Sequence, residues 1–265
     1  MKANDIMKIL DDWAEQKLVD SWDNTGFQIG NDDLDIKKIL IALDLDENVL
    51  EKAINEGFQM IVTHHPIIFK PLKSINNRSY LGSLILRIIT NNIVVYNAHS
   101  NLDLAIGGVN DELANILQLT NTKPLNNIVQ DKFDEDYYGY GRVGDIDEID
   151  TIDFLYRVKE SLCLNDLRVY GNINKKISKI AVCGGSGGEF IHDAYKNGAD
   201  LYISGDIKYH EAQQGLQLGM IIVDAGHYHT EKVILPVIKK ILLHGSKSEL
   251  CIEVFKETAV AYKIY

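Results

Sequence analysis

Short apolar runs alternate with segments of helical periodicity along the first hundred residues. The runs of strand length lie at 37–43, 59–65 and 93–99, and segments with a helical repeat lie between them at 46–58 and 81–92. In the first helical segment, Val49, Leu50 and Ala53 share one face, and Gly57 follows as a stop signal. This alternation predicts βαβ units and a mostly parallel sheet.

The second half of the chain repeats this pattern. Residues 36–67 align without a gap on residues 177–208, and residues 92–103 align in the same way on 220–231. Matched positions include Lys38 with Lys179, Ala53 with Ala194, Gly57 with Gly198, and His65 with Asp206. The repeat predicts an α/β protein built from two similar α/β domains.

A polar stretch from 120 to 176 separates the two copies. It contains a helical segment at 152–162 and a strand-like segment at 166–171, but its first part is rich in Asn, Asp, Gly and Tyr. Because that part carries few apolar anchors, we place the domain boundary near residue 125, with a first domain at 1–125 and a second at 126–265. The last segment follows a helix interrupted at Pro236, and we expect it to return to the first domain and complete it.

The acidic charge balance disfavours nucleic acid as a partner. With 27 Lys and Arg against 38 Asp and Glu, the chain of 265 residues has a formal net charge of -11, which repels a phosphate backbone. Its three cysteines lack C-x-x-C spacing, which disfavours a disulfide framework or a thiolate zinc site. The N-terminus reads as an amphipathic helix, and the apolar runs are far shorter than the roughly 20 residues that span a bilayer. We expect a cytoplasmic protein outside the membrane.

Two neighbouring histidines, His64 and His65, end the second apolar run and precede Pro66. Adjacent residues of an extended strand point to opposite faces, so two such imidazoles suit a pair of metal ions better than one. Ligands at the carboxyl end of a strand also fit the usual position of sites in α/β proteins. The alternative is a histidine pair on the surface at the start of a loop.

Each copy of the repeat also has a histidine followed four residues later by a carboxylate. His99 with Asp103 and His227 with Glu231 each follow an apolar run, and this spacing brings the two side chains to one face of a helix or a strand. Imidazole and carboxylate ligands without sulfur suit Zn, Mn, Fe or Co. The matched pairs therefore predict one composite metal site.

Other polar residues near these positions admit more than one interpretation. The turn Gly184–Gly188 follows a strand and precedes a helix, so it is either a tight turn or a phosphate-binding loop, although it lacks the Lys of a P-loop. His210 and His229 could orient a ligand, contact a substrate or serve the structure. The histidines and tyrosines for which we expect surface or packing roles are His192, His244, Tyr137, Tyr138 and Tyr140.

Seven motifs in this order resemble the Nif-three-like family, also known as GTP cyclohydrolase 1 type 2 homologs, over nearly the whole chain. The motifs are SWDNTGFQIG at 21–30, THHP at 63–66, NLD at 101–103, GRVG at 141–144, CGGSGG at 183–188, SGDIKYH at 204–210 and GHYHTE at 226–231. The resemblance implies the Nif-three-like fold, with two similar α/β domains around a dinuclear metal centre. It also implies a toroidal homohexamer.

The resemblance further implies which residues bind the two divalent ions of each subunit. His65 and Asp103 would bind one ion, His64 and His227 the other, and Glu231 would bridge them. His99 and Asp206 would then orient a ligating imidazole or a bound water.

Hydrolysis is the chemistry that such a centre would perform, with a metal-bound water as the nucleophile. The activity for which the family is named opens the imidazole ring of GTP and releases formate. Arg78, Arg142 or Lys208 could supply charge to a triphosphate. We therefore expect a metal-dependent hydrolase of a nucleotide or another phosphorylated small molecule. The alternative is a non-enzymatic metal-binding ring that acts as a scaffold, a metal chaperone or a regulatory partner.

Overall fold

A computed structural model describes residues 1–126, 138–246 and 250–256. In chain order, the elements of the first part are α1 (Ala3–Trp13), β1 (Gly26–Ile29), β2 (Lys38–Ala42), α2 (Glu47–Glu56), β3 (Met60–Thr63), α3 (Tyr80–Thr90), β4 (Val94–Asn97), α4 (Ser100–Leu104), α5 (Val109–Ile116) and β5 (Thr120–Asn126). The later elements are β6 (Tyr140–Asp150), α6 (Thr151–Leu162), β7 (Arg168–Tyr170), β8 (Lys176–Ser186), α7 (Ile191–Lys196), β9 (Leu201–Gly205), α8 (Tyr209–Gln217), β10 (Ile221–Asp224), α9 (His227–Glu231), α10 (Leu235–Ser246) and β11 (Cys251–Val254).

These elements form two compact units. Unit 1 comprises Met1–Leu102 and the described part of Leu235–Ala261, and unit 2 comprises the described part of Asp103–Ile234. The division thus lies at Asp103, whereas the sequence placed the boundary near residue 125. The reason is α5, because its residues Leu113 and Ala114, with Leu117 directly after the helix, belong to the core of unit 2.

Unit 1 contains a sheet of five strands in the order β1-β4-β3-β2-β11. The four strands β4, β3, β2 and β11 are parallel, and β1 is antiparallel to β4. β11 pairs through Cys251 with Lys38, so the C-terminal strand completes this sheet. One face packs on α2 and α3 in a core that includes Leu40, Val49, Ile85 and Val95.

Unit 2 contains a sheet of six strands in the order β5-β6-β8-β9-β10-β7. Its parallel centre, β8-β9-β10, is flanked by antiparallel strands on both sides. The first part of the polar stretch at 120–176, for which the sequence indicated no strand, contributes β5 and β6. Its polarity misled the prediction, because strand pairing uses backbone hydrogen bonds, which polar residues form as well as apolar ones.

The internal repeat extends beyond the two aligned sequence segments. In each copy a helix precedes an antiparallel edge strand, a βαβαβ segment follows, and a five-residue helix ends it: α1 to α4 in unit 1 correspond to α6 to α9 in unit 2. A glycine in the left-handed conformation follows both first crossover helices, Gly57 at φ 69° directly after α2 and Gly198 at φ 78° two residues after α7. The structure confirms the prediction of a mixed α/β fold with two similar parts.

Pro236 lies in the first turn of α10, after a separate 3₁₀ turn at Lys232–Ile234. A proline is tolerated at a helix start because the first amide donors have no partner within the helix. Among the described residues, no helix is long and apolar enough to cross a membrane.

Candidate metal centre

Three histidines of unit 1 converge at the carboxyl ends of β3 and β4. His64 and His65 follow β3, His99 follows β4, and ring nitrogens of the three lie within 4.8 Å of one another. The centroids of the His64 and His65 rings are 5.0 Å apart. β3 ends at Thr63, and His64 and His65 lie in a bend where the Thr63 hydroxyl donates to the carbonyl of His65 at 2.8 Å. The two histidines are thus not successive residues of an extended strand, and their service to a pair of ions stays a prediction.

Each of these imidazoles is oriented through its Nδ1 atom. His64 Nδ1 donates to the Ala98 carbonyl at 2.8 Å, and a carbonyl can only accept, so the proton of His64 lies on Nδ1. His65 Nδ1 lies 2.8 Å from Asp44 Oδ1, and His99 Nδ1 lies 2.9 Å from Asp23 Oδ1. Such partners fix the tautomer, so Nε2 of each ring is the atom suited to a metal ion.

The carboxylate of Asp23 holds His99 from a buried position. Its side chain has no exposed surface and accepts from the Thr25 hydroxyl at 2.6 Å, the Ser100 hydroxyl at 2.6 Å and the Ser100 amide at 3.1 Å. Burial raises the pKa of this carboxyl, but the hydrogen bonds from His99, Ser100 and Thr25 outweigh it, and the pKa lies below its usual range. Asp23 is therefore a charged anchor beneath the histidine cluster.

Unit 2 brings together a histidine and two carboxylates. His227 Nε2 lies 3.0 Å from Glu231 Oε2 one turn along α9, and His227 Nδ1 lies 2.8 Å from Asp206 Oδ2. The Glu231 side chain is almost buried, whereas that of Asp206 is 59% exposed. The predicted spacing thus brings this pair to one face of a helix, and Asp206 orients the ring.

The absence of a side chain at Gly185 leaves space for the Glu231 carboxylate. A Cβ atom at this position would lie 2.1 Å from Glu231 Oε1 and 3.5 Å from His227 Nε2. Gly185 also has φ 67°, a conformation that L side chains rarely adopt. A carboxylate beside an imidazole in a glycine-lined space is a donor set that fits a divalent cation.

The glycine-rich turn is part of this packing and not an open anion site. Its amides donate to side chains of unit 2: Gly184 to Asn110 at 2.9 Å, Gly185 to Thr230 at 3.0 Å and Gly187 to Ser204 at 2.9 Å. Because these three amides already donate to side chains of unit 2, we interpret the segment as a tight turn and not as a phosphate-binding loop.

Asp103 lies on α4, where the two units meet in sequence. It is half-buried, and its carbonyl accepts from the Asn110 side chain at 3.0 Å. Asn110 therefore links the backbone of Asp103 to the Gly184 turn within unit 2.

The other histidines differ in environment. His210 is exposed and contacts Gln213, and the exposed His192 and His244 lie on helices. His229 is half-buried, and its Nδ1 lies 3.0 Å from Lys232 Nζ. Burial is the main cause that lowers the pKa of His229, and the charge of Lys232 is the second. Tyr138 is buried, Tyr140 stacks on Phe190 with ring centroids 5.3 Å apart, and Tyr137 lies outside the described residues.

Sequence reasoning missed the two aspartates that orient the histidines of unit 1. Asp44 follows β2, so its position at the carboxyl end of a predicted strand was a usable signal. Asp23 precedes β1, and only the antiparallel pairing of β1 with β4 brings it to His99. Arg142, which we expected to be able to bind a phosphate, is buried in an ion pair with Asp111.

Comparisons with known proteins agree with this architecture. Residues 1–259 match the family described as Duf34/NIF3 (NGG1p interacting factor 3). A protein of Clostridium perfringens named "GTP cyclohydrolase 1 type 2 homolog" is 38% identical over 91% of this chain and 91% of its own length. The fold is similar to that of a solved Bacillus cereus protein related to NIF3, with a TM-score of 0.92 and 27% identity over 100% of this chain and 99% of that one. It is also similar to reduced HcgD from Methanocaldococcus jannaschii, with a TM-score of 0.82 and 32% identity over 96% and 97% of the two chains. The chain belongs to the Duf34/NIF3 family.

Proposed function

We propose that this protein binds two divalent metal ions through His64, His65, Asp103, His227 and Glu231 and hydrolyses a nucleotide or another phosphorylated small molecule. The observation that carries the proposal is that hydrogen bonds through Nδ1 already orient these imidazoles, and that potential ligand atoms come together within each unit. In unit 1 three imidazoles with oriented Nδ1 atoms converge, and in unit 2 an oriented imidazole faces a nearly buried carboxylate. Membership of the Duf34/NIF3 family supports the combination of both sets.

The donor set favours an ion of the first transition series. Neutral imidazoles and carboxylates suit Zn, Fe, Mn or Co. The thiol of the buried Cys183 has a raised pKa because of burial and then the charge of Asp103. A thiol with a raised pKa stays protonated and is a poor ligand. Two bound ions would supply a hydroxide near neutral pH and polarise the bond under attack.

The side chains of this chain perform the remaining tasks. Asp44 and Asp23 hold His65 and His99 in place, and Asp206 does the same for His227. A ligand oriented in this way loses little freedom on metal binding, and a carboxylate partner raises the basicity of the ring. His99 is a further candidate ligand, because its ring lies 5.2 Å from that of His64 and 5.4 Å from that of His65.

The choice of substrate follows the named relatives. Curated relatives at 38% and 37% identity are named "GTP cyclohydrolase 1 type 2 homolog". On the strength of these names we propose hydrolysis of a nucleotide as the reaction. The toroidal homohexamer is proposed from the sequence resemblance, and the cytoplasm as the location from the cysteine usage.

The experiment compares the wild type with Glu231→Ala for metal content and for turnover of a nucleotide panel. Metal content is measured by mass spectrometry of the purified protein, and turnover by formate and phosphate release. Because Glu231 would bridge both ions, we expect the variant to lose about one ion or more per chain and to lose hydrolysis. The control is Glu51→Ala, an exposed glutamate on α2, which should retain both.

Two results would count against the hydrolase. Turnover that survives complete metal removal would contradict a metal-dependent mechanism. Full metal content without turnover of any nucleotide, in a protein whose ions carry no exchangeable water, would support the scaffold or metal-chaperone alternative.

A further inference from the structure

Two large aromatic side chains are exposed beside the histidine cluster of unit 1. Trp22 is 58% exposed and Phe69 is 48% exposed, and their ring centroids are 6.1 Å apart. Both rings meet the His99 ring nearly edge to face, with centroid distances of 5.9 Å from Trp22 and 6.4 Å from Phe69. We call Trp22 and Phe69 the aromatic wall.

The aromatic wall is held in place from both sides. The Asn24 side chain donates to the carbonyl of Ile68 at 2.5 Å, which ties the segment of Trp22 to that of Phe69. Asn24 and Gln28 also bond to each other, through the Asn24 carbonyl at 2.7 Å. Next to Trp22, Asp23 anchors His99. A single exposed apolar side chain is ordinary, but two large rings in contact form an apolar patch, and such patches often mark binding sites.

The segment that follows Phe69 is basic in an acidic protein. Residues 66–79 contain Lys70, Lys73 and Arg78 and no Asp or Glu, whereas the whole chain carries a charge of -11. All three cations are exposed, and none forms an ion pair with another described residue. We call 66–79 the basic segment.

We propose that the aromatic wall and the basic segment form a binding site for a ligand that joins a planar heteroaromatic ring to a phosphate, as a nucleoside phosphate does. The ring stacks on Trp22 and Phe69, and Lys70, Lys73 and Arg78 attract the phosphate. That the bound ligand is also the substrate of the metal centre rests on the proposed hydrolase function. That the site binds such a ligand does not rest on it.

The position of the wall favours a small ligand over a second copy of the chain. The wall reaches the edge of His99, so a ring that stacks there lies against the candidate ligands, where the reacting part of a substrate has to be. Three exposed cations on a segment without Asp or Glu also fit an anionic group, since charge complementarity favours a ligand of the opposite sign.

Binding is measured first on the wild-type protein by calorimetry. The probes are guanosine 5′-monophosphate, guanosine, which lacks the phosphate, and ribose 5-phosphate, which lacks the ring. We expect the nucleotide to bind at least about tenfold more tightly than either fragment, because both contacts contribute. Equal affinities for the nucleotide and one fragment would overturn the two-part site.

A fluorescence measurement locates the ligand. The chain has two tryptophans, and the Trp13→Phe variant leaves Trp22 as the single emitter. We expect guanosine 5′-monophosphate to quench Trp22 emission, excited at 295 nm, with the affinity found by calorimetry. Calorimetric binding without a change in Trp22 emission would place the ligand elsewhere and contradict the proposal.

Two variants test the parts of the site. Phe69→Leu removes a stacking ring at similar polarity and should weaken nucleotide binding about tenfold, within the range of base stacking on aromatic residues. Lys70→Gln should weaken it several-fold at low ionic strength and less at high ionic strength. The matched control is Lys37→Gln, an exposed lysine at the amino end of β2, on the edge of the sheet opposite to the histidines. Unchanged affinity in Phe69→Leu overturns the site, and so does a change of oligomeric mass in that variant, which would make the wall an interface between copies.

The test separates this site from the hydrolase. If Glu231→Ala abolishes turnover and still binds the nucleotide, both proposals stand. If the nucleotide binds to the wild type and no turnover occurs, the binding site stands and the hydrolase fails. If turnover occurs and Phe69→Leu leaves KM unchanged, the hydrolase stands and the binding site fails.

Discussion

The two copies of the repeat solve the same problem with different residues. Under the 128-residue offset that matches β4 to β10, His99 corresponds to His227, and each follows the last strand of its βαβαβ segment. Asp23, from the segment before β1, orients His99, whereas Asp206, from the end of β9, orients His227. The position of Asp206 is occupied in unit 1 by His65.

The difference shows how a duplicated scaffold acquires new ligands. In unit 1 the third strand end supplies an additional imidazole, so the carboxylate for His99 has to come from another segment. In unit 2 the residue that corresponds to Asp23 under the 141-residue offset is Leu164, which packs against the core. A buried carboxylate in one copy thus corresponds to a partly buried apolar residue in the other.

The largest difference between the copies should appear when the two orienting aspartates are changed. Asp23→Asn puts an amide donor among donors in a buried site, and we expect a loss of about 3 kcal/mol in the free energy of unfolding, the upper range for a buried unsatisfied group. Urea denaturation measures it. A loss below about 1 kcal/mol would mean that the network around Asp23 rearranges freely.

Gly185 distinguishes a steric role from a conformational one. Gly185→Ala and Gly57→Ala both place a side chain at positive φ, which costs about 1 to 2 kcal/mol. Only at Gly185 does the new Cβ meet the Glu231 carboxylate, because nothing lies within 4 Å at Gly57. We expect similar losses of stability but a fall in metal content for Gly185→Ala alone, and equal metal content in the two variants would contradict the contact.

The helix that links the first two strands of each copy starts differently. In α2 the Asp46 carboxylate accepts from the Val49 amide at 2.9 Å, and Asp46→Ala should lower the free energy of unfolding by about 1 kcal/mol. The corresponding residue of unit 2 is Gly187, where a Cβ would lie 2.6 Å from both Ser204 Oγ and Tyr202 OH. Thermal unfolding of Asp46→Ala checks the first value. Gly187→Asp should lower the free energy of unfolding by much more, because its side chain would clash with Ser204 and Tyr202.

The smallest effect on stability is expected at Asp206. Its side chain is 59% exposed, so Asp206→Asn should change the free energy of unfolding by less than about 0.5 kcal/mol. The same variant should lower metal affinity about tenfold, because the orienting partner of His227 loses its charge. Competition with a metal chelator measures this, and an unchanged affinity would assign Asp206 a role outside the metal site.

The sequence predicted the parts of the fold that carry apolar periodicity. The βαβ elements of both copies, α6 and β7 follow from that pattern, and the comparison of copies also brought out the histidines and carboxylates at strand ends. β6 escaped because its pairing uses the backbone, while Asp23 and the bend after Thr63 escaped because they depend on strand order and on one side-chain hydrogen bond. Local pattern thus predicts elements, whereas contacts between distant segments decide how the ligands are aimed.

The pairing of β11 with β2 determines the order in which the protein can fold as it is made. Lys38 and Cys251 are neighbours in the sheet although 213 positions separate them, so at ribosomal rates the first half of this pair waits roughly 10 to 40 s for the second. The described residues of unit 2 form one stretch between Asp103 and Ile234, interrupted only at 127–137, and emerge before β11. During that interval the backbone groups on one edge of β2 are unpaired, and they can pair with another chain until β11 arrives.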